Sequence, residues 1–132
     1  MEFGPRLSLS RTTAVVAVGD VLCIGLFSVA GVLQHQSGSL VARVPEVAVP
    51  FLVGWAVVGL LAGAFATEAL ATPREAAARA AVAWLGADLV GQGLRATDLF
   101  PGGFDPAFFL VSLFVTGVLL VGWRAAAARL LA

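Results

Sequence analysis

The chain has 132 residues, 60% of them hydrophobic and 12% charged, and its eight basic and eight acidic side chains cancel. A soluble domain ordinarily carries about 25% charged residues, so half that share leaves too little polar surface to coat a globule of this size. The composition excludes a soluble enzyme, a nucleic-acid binder and a disordered chain; a protein whose solvent is the bilayer remains. One cysteine, Cys23, and one histidine, His35, make neither an internal disulfide nor a zinc site, so no metal and no cofactor is expected.

Four apolar stretches, at about 12–33, 47–70, 76–97 and 107–123, are each long enough for a hydrocarbon core of about 30 Å, which takes about 20 helical residues. The expected fold class is all-α: an integral membrane four-helix bundle, one membrane domain over residues 1–132. A cleaved leader is the rival reading of the first stretch, with Arg6 and Arg11 as its basic region and Ser28-Val29-Ala30 as its cleavage site. Asp20 interrupts that stretch and apolar residues continue through Val32 and Leu33, which favours a retained helix. In the short connection Ala71–Glu75, Thr72 is the expected N-cap and Pro73 the first helical residue, which makes the second and third helices antiparallel neighbours. Before the fourth helix, Asp105 and Pro106 play the same parts.

Arginine placement gives an expected orientation. Arg6, Arg11, Arg74, Arg79, Arg124 and Arg129 fall on one side and Arg43 and Arg95 on the other, which places both termini in the cytoplasm of a multi-pass cell-membrane protein. The chain also hints at a duplication. Asp20 precedes Gly25-Leu26 at the spacing with which Asp88 precedes Gly93-Leu94, and Phe51-Leu52-Val53 precedes Gly59 as Phe109-Leu110-Val111 precedes Gly117. Two parallel helical-hairpin repeats would make the two aspartates counterparts.

An ionised group at mid-membrane costs at least about 2.5 to 3.5 kcal/mol, so it faces the bundle interior. Asp20 and Asp88 are the clear cases. Helical spacing puts Ala77, Ala81, Trp84, Asp88, Gly91, Gln92 and Arg95 on one face of the third helix, with Val82, Leu85 and Leu89 opposite. On the first helix Asp20 shares a stripe with Thr13, Ala17, Ile24, Phe27, Gly31, Gln34 and His35. Asp20, Asp88, Gln92, Arg95 and His35 are therefore the candidate groups for binding protons or a small solute. The competing reading is that both aspartates bond to neighbouring helices, to Arg95 or to backbone, and only fix packing. Glu68 is expected to pair with Arg74, Arg79 or Arg124, and Trp55 and Trp123 to lie near opposite membrane faces. Gly54, Gly59 and Gly63, with Ala87 and Gly91 opposite, are the expected sites of close helix approach. No catalytic motif is present, so no enzymatic activity is expected.

Gly19-Asp20, then Phe27, Gly31 and His35, then Pro50-Phe51 with Gly54-Trp55, and finally Gly122-Trp123-Arg124 form a more specific phrase. It resembles the domain of unknown function 3054 (DUF3054) family of small prokaryotic membrane proteins, over about residues 12–125. The resemblance implies a four-helix membrane fold and no settled activity. The family commonly ends its first helix with Gly-Arg-Arg-Ser-His, whereas Gly31 here is followed by Val32-Leu33-Gln34-His35.

Two functions compete. One is a small transporter or channel-like subunit in which the interior carboxylates bind protons or a small solute; its four helices and first-helix carboxylate are similar in plan to small multidrug transporters. The other is a non-catalytic scaffold or accessory subunit of a larger membrane complex. The expected partners are the lipid bilayer, further copies of the chain in a homo-oligomer, or such a complex, and no nucleic acid.

Overall fold

Ser10 starts the first helix: its Oγ accepts a bond from Thr13 N at 3.1 Å, and α1 then runs Arg11–His35. The structure is a computed structural model and describes residues 10–35, 39–99 and 105–131. Helix α2 spans Leu40–Leu61, beginning earlier and ending earlier than the apolar stretch 47–70. It begins earlier although Pro45 and Pro50, which have no donor of their own, lie inside it.

The early end of α2 has a local cause. Gly63 adopts φ +79°, Ala64 N bonds back to Gly59 O at 2.8 Å, and Gly63 N bonds to Leu60 O at 3.3 Å. This is the Schellman arrangement, in which a glycine in the left-handed region stops the helix. Gly63 is thus a terminator in a turn rather than the second glycine of a helix-packing pair. A 3₁₀ turn, Thr67–Leu70, follows.

Helix α3 spans Pro73–Arg95. Thr72 caps it, accepting from Glu75 N at 2.9 Å, with Pro73 at the first helical position as expected. Helix α4 spans Pro106–Leu131, with Asp105 Oδ1 accepting from Ala107 N at 3.0 Å. No strand occurs among the described residues.

Each helix packs on its chain neighbours, and α4 closes the ring against α1, so α1 and α3 stand at opposite corners. Neighbouring helices run antiparallel. Along α1 and α4 the paired positions are Val16 with Trp123 and Cys23 with Leu119; along α3 and α4 they are Trp84 with Ser112 and Arg95 with Phe108. The parallel placement of α1 and α3 is what a hairpin duplication requires, although their two aspartates sit in unlike surroundings. Glycines bring α2 and α3 into close contact. A Cβ on Gly54 would lie 2.4 Å from Ala87 O, and one on Gly91 would lie 2.4 Å from the Phe51 ring. Gly59 closes instead on Phe65 of the following turn.

Three helices, α1, α2 and α4, are long and apolar enough to cross a membrane. Helix α3 is the least apolar of the four. Its interior face carries Ala80, Ala83, Trp84, Ala87, Asp88, Gly91 and Gln92, all buried, while Val82, Leu85 and Leu89 point outward. The expected face is therefore present but slightly rotated: Ala76 and Ala80 are inside, and Ala81 is exposed. Outward-facing large apolar side chains cover all four helices, among them Leu22, Leu26, Val57, Phe114 and Val118. A water-soluble monomer does not present so much continuous apolar surface.

Candidate functional site

Two polar centres lie inside the bundle, one at each aspartate. At the first, Arg124 grips Asp20 with two parallel bonds, Nε to Oδ1 at 2.9 Å and Nη2 to Oδ2 at 2.6 Å. Such fork-to-fork pairing is the strong geometry for a guanidinium and a carboxylate. Trp55 Nε1 donates to Oδ2 at 3.2 Å, and Arg124 Nη1 donates to Ala64 O at 2.6 Å. The Trp55 and Phe65 rings lie 5.5 and 5.4 Å from Arg124 Cζ. One ion pair thereby fastens α1, α2, the turn after α2 and α4 at a single point. Asp20 is wholly buried and Arg124 almost so. A vestibule of about 400 Å³ adjoins this pair at the end of the bundle that carries Ser10 and Leu131, with Thr12, Thr13, Glu68 and Arg124 in its wall.

The second centre is different in kind. Asp88 is wholly buried between α3 and α4, and no cation pairs with it among the described residues. Its partner is Ser112, whose Oγ lies 2.8 Å from Oδ1, 3.0 Å from Oδ2 and 2.9 Å from Phe109 O. Trp84 Nε1 donates to Ser112 O at 3.1 Å, which fixes this turn of α4 against α3. Gln92 lies one turn on, close enough to act on the Asp88 carboxylate. Neither of its amide atoms completes a hydrogen bond among the described residues, although it is 2% exposed. Arg95 is half-buried at the end of the same face, with Cζ 4.5 Å over the Phe108 ring and Nε without a partner among the described residues.

The two centres are separated by an apolar layer. Ile24 of α1 and Leu120 of α4 are both wholly buried between them, in one cluster with Trp55, Trp84 and Phe51.

The structure therefore brings Asp88, Gln92 and Arg95 into one line and places Asp20 apart from them. His35 ends α1, and its side chain lies outside the described residues. Glu68 is exposed; Arg79 pairs instead with Glu75 and caps Gly63 O at 2.8 Å, and Arg124 pairs with Asp20. Trp55 and Trp123 do not mark opposite faces. Both turn toward the level of Asp20, Trp123 Nε1 donating to Val16 O at 3.0 Å with its ring against Gly19. An indole N–H inside the bundle takes a carboxylate or carbonyl in preference to an interface position. Sequence reasoning missed Ser112, Thr116 and Arg124 as interior groups. The signal was available, since Ser112, Thr116, Leu120 and Arg124 recur every fourth residue and line the inner stripe of α4.

No curated protein and no solved structure gives a match to the chain. Residues 17–127, from the first helix through the Arg124 turn of the last, match the family described as Protein of unknown function (DUF3054), and the chain belongs to that family.

Proposed function

We propose that the protein is a small membrane-spanning proton carrier, in which Asp88 takes up and releases the proton and the Asp20–Arg124 pair holds the bundle together. The observation that carries this reading is the Ser112 hydroxyl, which has one hydrogen and three acceptors within 3.0 Å. With a proton on Asp88, the carboxyl group donates to Ser112 Oγ and the hydroxyl donates to Phe109 O. With Asp88 ionised, the hydroxyl turns to the carboxylate. Two satisfied arrangements thus differ by one proton and one hydroxyl rotation. Asp20 has no such freedom, because the Arg124 guanidinium and the Trp55 indole together occupy both of its oxygens.

A proton suits this interior better than a larger solute, since the wholly buried Ile24 and Leu120 pack in an apolar cluster between the two centres. Insertion of all four helices in the cell membrane, with both chain ends cytoplasmic, completes the reading. Its support is that Arg11, Arg74, Arg79 and Arg129 lie toward the end bearing Ser10, while Arg43 and Arg95 lie toward the other. Burial removes Arg124 from that count.

The test is proton flux into proteoliposomes followed with an enclosed pH-sensitive dye. Asp88→Asn is expected to abolish flux and Ser112→Ala to slow it. Flux in Asp88→Asn equal to that of the unaltered protein overturns the reading.

A further inference from the structure

Gln92 is the least explained side chain in the bundle. A buried amide without a hydrogen bond costs about 1–3 kcal/mol, and here both Nε2 and Oε1 are in that condition at 2% exposure. A buried water relieves such a cost where two to four polar groups surround it. The groups exist along α3: the Asp88 carboxylate one turn before, and Arg95 Nε, also without a partner among the described residues, about one turn after. They form a ladder from Asp88 to the helix end. Phe27, Phe51 and Phe108, contributed by α1, α2 and α4, pack as one aromatic wall, with Arg95 lying over Phe108.

Toward the opposite end one further orphaned group, Thr116 Oγ1, stands before the apolar layer, and among the described residues the ladder goes no further. On α3 the residues before Asp88 on the inner face are Ala87, Trp84, Ala83 and Ala80, and on α4 Thr116 is followed at the next inward position by Leu120. Thr116 Oγ1 is the last polar side-chain atom on that stripe before the Ile24–Leu120 layer. Three ion pairs on the packed elements are made away from this face, and Asp105 at the start of α4 is the charged group that acts on Arg95. Arg124 holds Asp20, Arg79 holds Glu75, and on α2 Arg43 holds Glu46.

We infer that Gln92 is the central ligand of a water-filled access path that joins Asp88 to the Arg95 end of the bundle and is closed toward the vestibule beside Arg124. The path carries water or hydronium, and Gln92 serves it with one acceptor and two donors. This rests on the proton-binding reading of Asp88 for its purpose, but the hydration it describes stands or falls by itself.

The experiment is cysteine accessibility in sealed vesicles, in a Cys23→Ser background. Gln92→Cys is challenged with a small membrane-impermeant cationic thiosulfonate added to one side at a time. Ala71→Cys and Asp98→Cys report which side is which. Modification of Gln92→Cys from the Asp98 side, with modification lost from the Ala71 side, is the expected result. Modification from the Ala71 side, or from neither, overturns the inference. Ser112→Cys, a change of one atom, carries the same expectation should Gln92→Cys fail to fold. Labelling needs no flux, so hydration from the expected side together with unaltered flux in Asp88→Asn would remove the function and leave the path.

Discussion

Asp20 and Arg124 satisfy each other almost completely: the carboxylate receives three bonds, and the guanidinium gives its third bond to Ala64 O. Desolvating both ions is expensive, and the pair persists because its geometry recovers that cost. Removing one partner leaves a bare charge inside the bundle. Asp20→Leu and Arg124→Met are each expected to destabilise the protein by about 3–5 kcal/mol, whereas the double variant carrying both is expected to cost far less than their sum. Unfolding in mixed detergent, analysed as a double-mutant cycle, measures the difference. Equal, additive losses would mean that the ions do not act as a pair. At this scale the sequence identifies Asp20, because an acid within an apolar run is visible on its own. Arg124 is not visible in the same way. It follows Trp123 near the end of an apolar stretch and so reads as an interface residue, and its partner lies 104 positions away with no local pattern to announce it.

Helices α2 and α3 pack closely, and small residues on both sides permit it. Gly54 faces backbone, which cannot move aside as a flexible side chain can. Gly54→Leu is therefore expected to destabilise by about 1–3 kcal/mol or more, while Gly93→Ala, with open space around the added carbon, is expected to leave stability unchanged or raised. Gly63→Ala tests a separate property. Its φ of +79° strains any side chain, and the added carbon would meet Arg79 Nη1 at 2.8 Å, so a loss of about 1 kcal/mol is expected with a lowered melting temperature. The Gly59-to-Gly63 spacing looked like a packing motif because helical periodicity alone carries no information about where a helix stops. The caps at Thr72 and Asp105 were legible, since each depends on a polar side chain immediately before a proline. The stop at Gly63 was not, because an apolar run continues on both sides of it.

For the whole molecule, the ring of four helices gives α3 a special standing. It is the least apolar helix, and its polar face is covered chiefly by Ser112 of α4 and by the small-residue seam with α2. In a translocon insertion assay with glycosylation sites on either side, α3 alone is expected to insert poorly. Asp88→Leu is expected to restore insertion, since an aspartate at mid-helix costs about 2.5–3.5 kcal/mol there. Full insertion of isolated α3 would count against its dependence on α2 and α4. Composition made a bundle of helices apolar enough to cross a membrane legible, because hydropathy sums over every residue. The ranking of α3 below its neighbours depends on a few positions, Asp88 and Gln92 above all, and their cover comes from other helices. The Asp20–Arg124 pair also sets an order of events during synthesis. The acid leaves the ribosome in the first helix and its cation follows only 104 positions later, so the nascent chain holds Asp20 without its partner until the fourth helix has been made. A chain terminated before Arg124 keeps that defect in α1, and an error in the fourth helix is felt in the first.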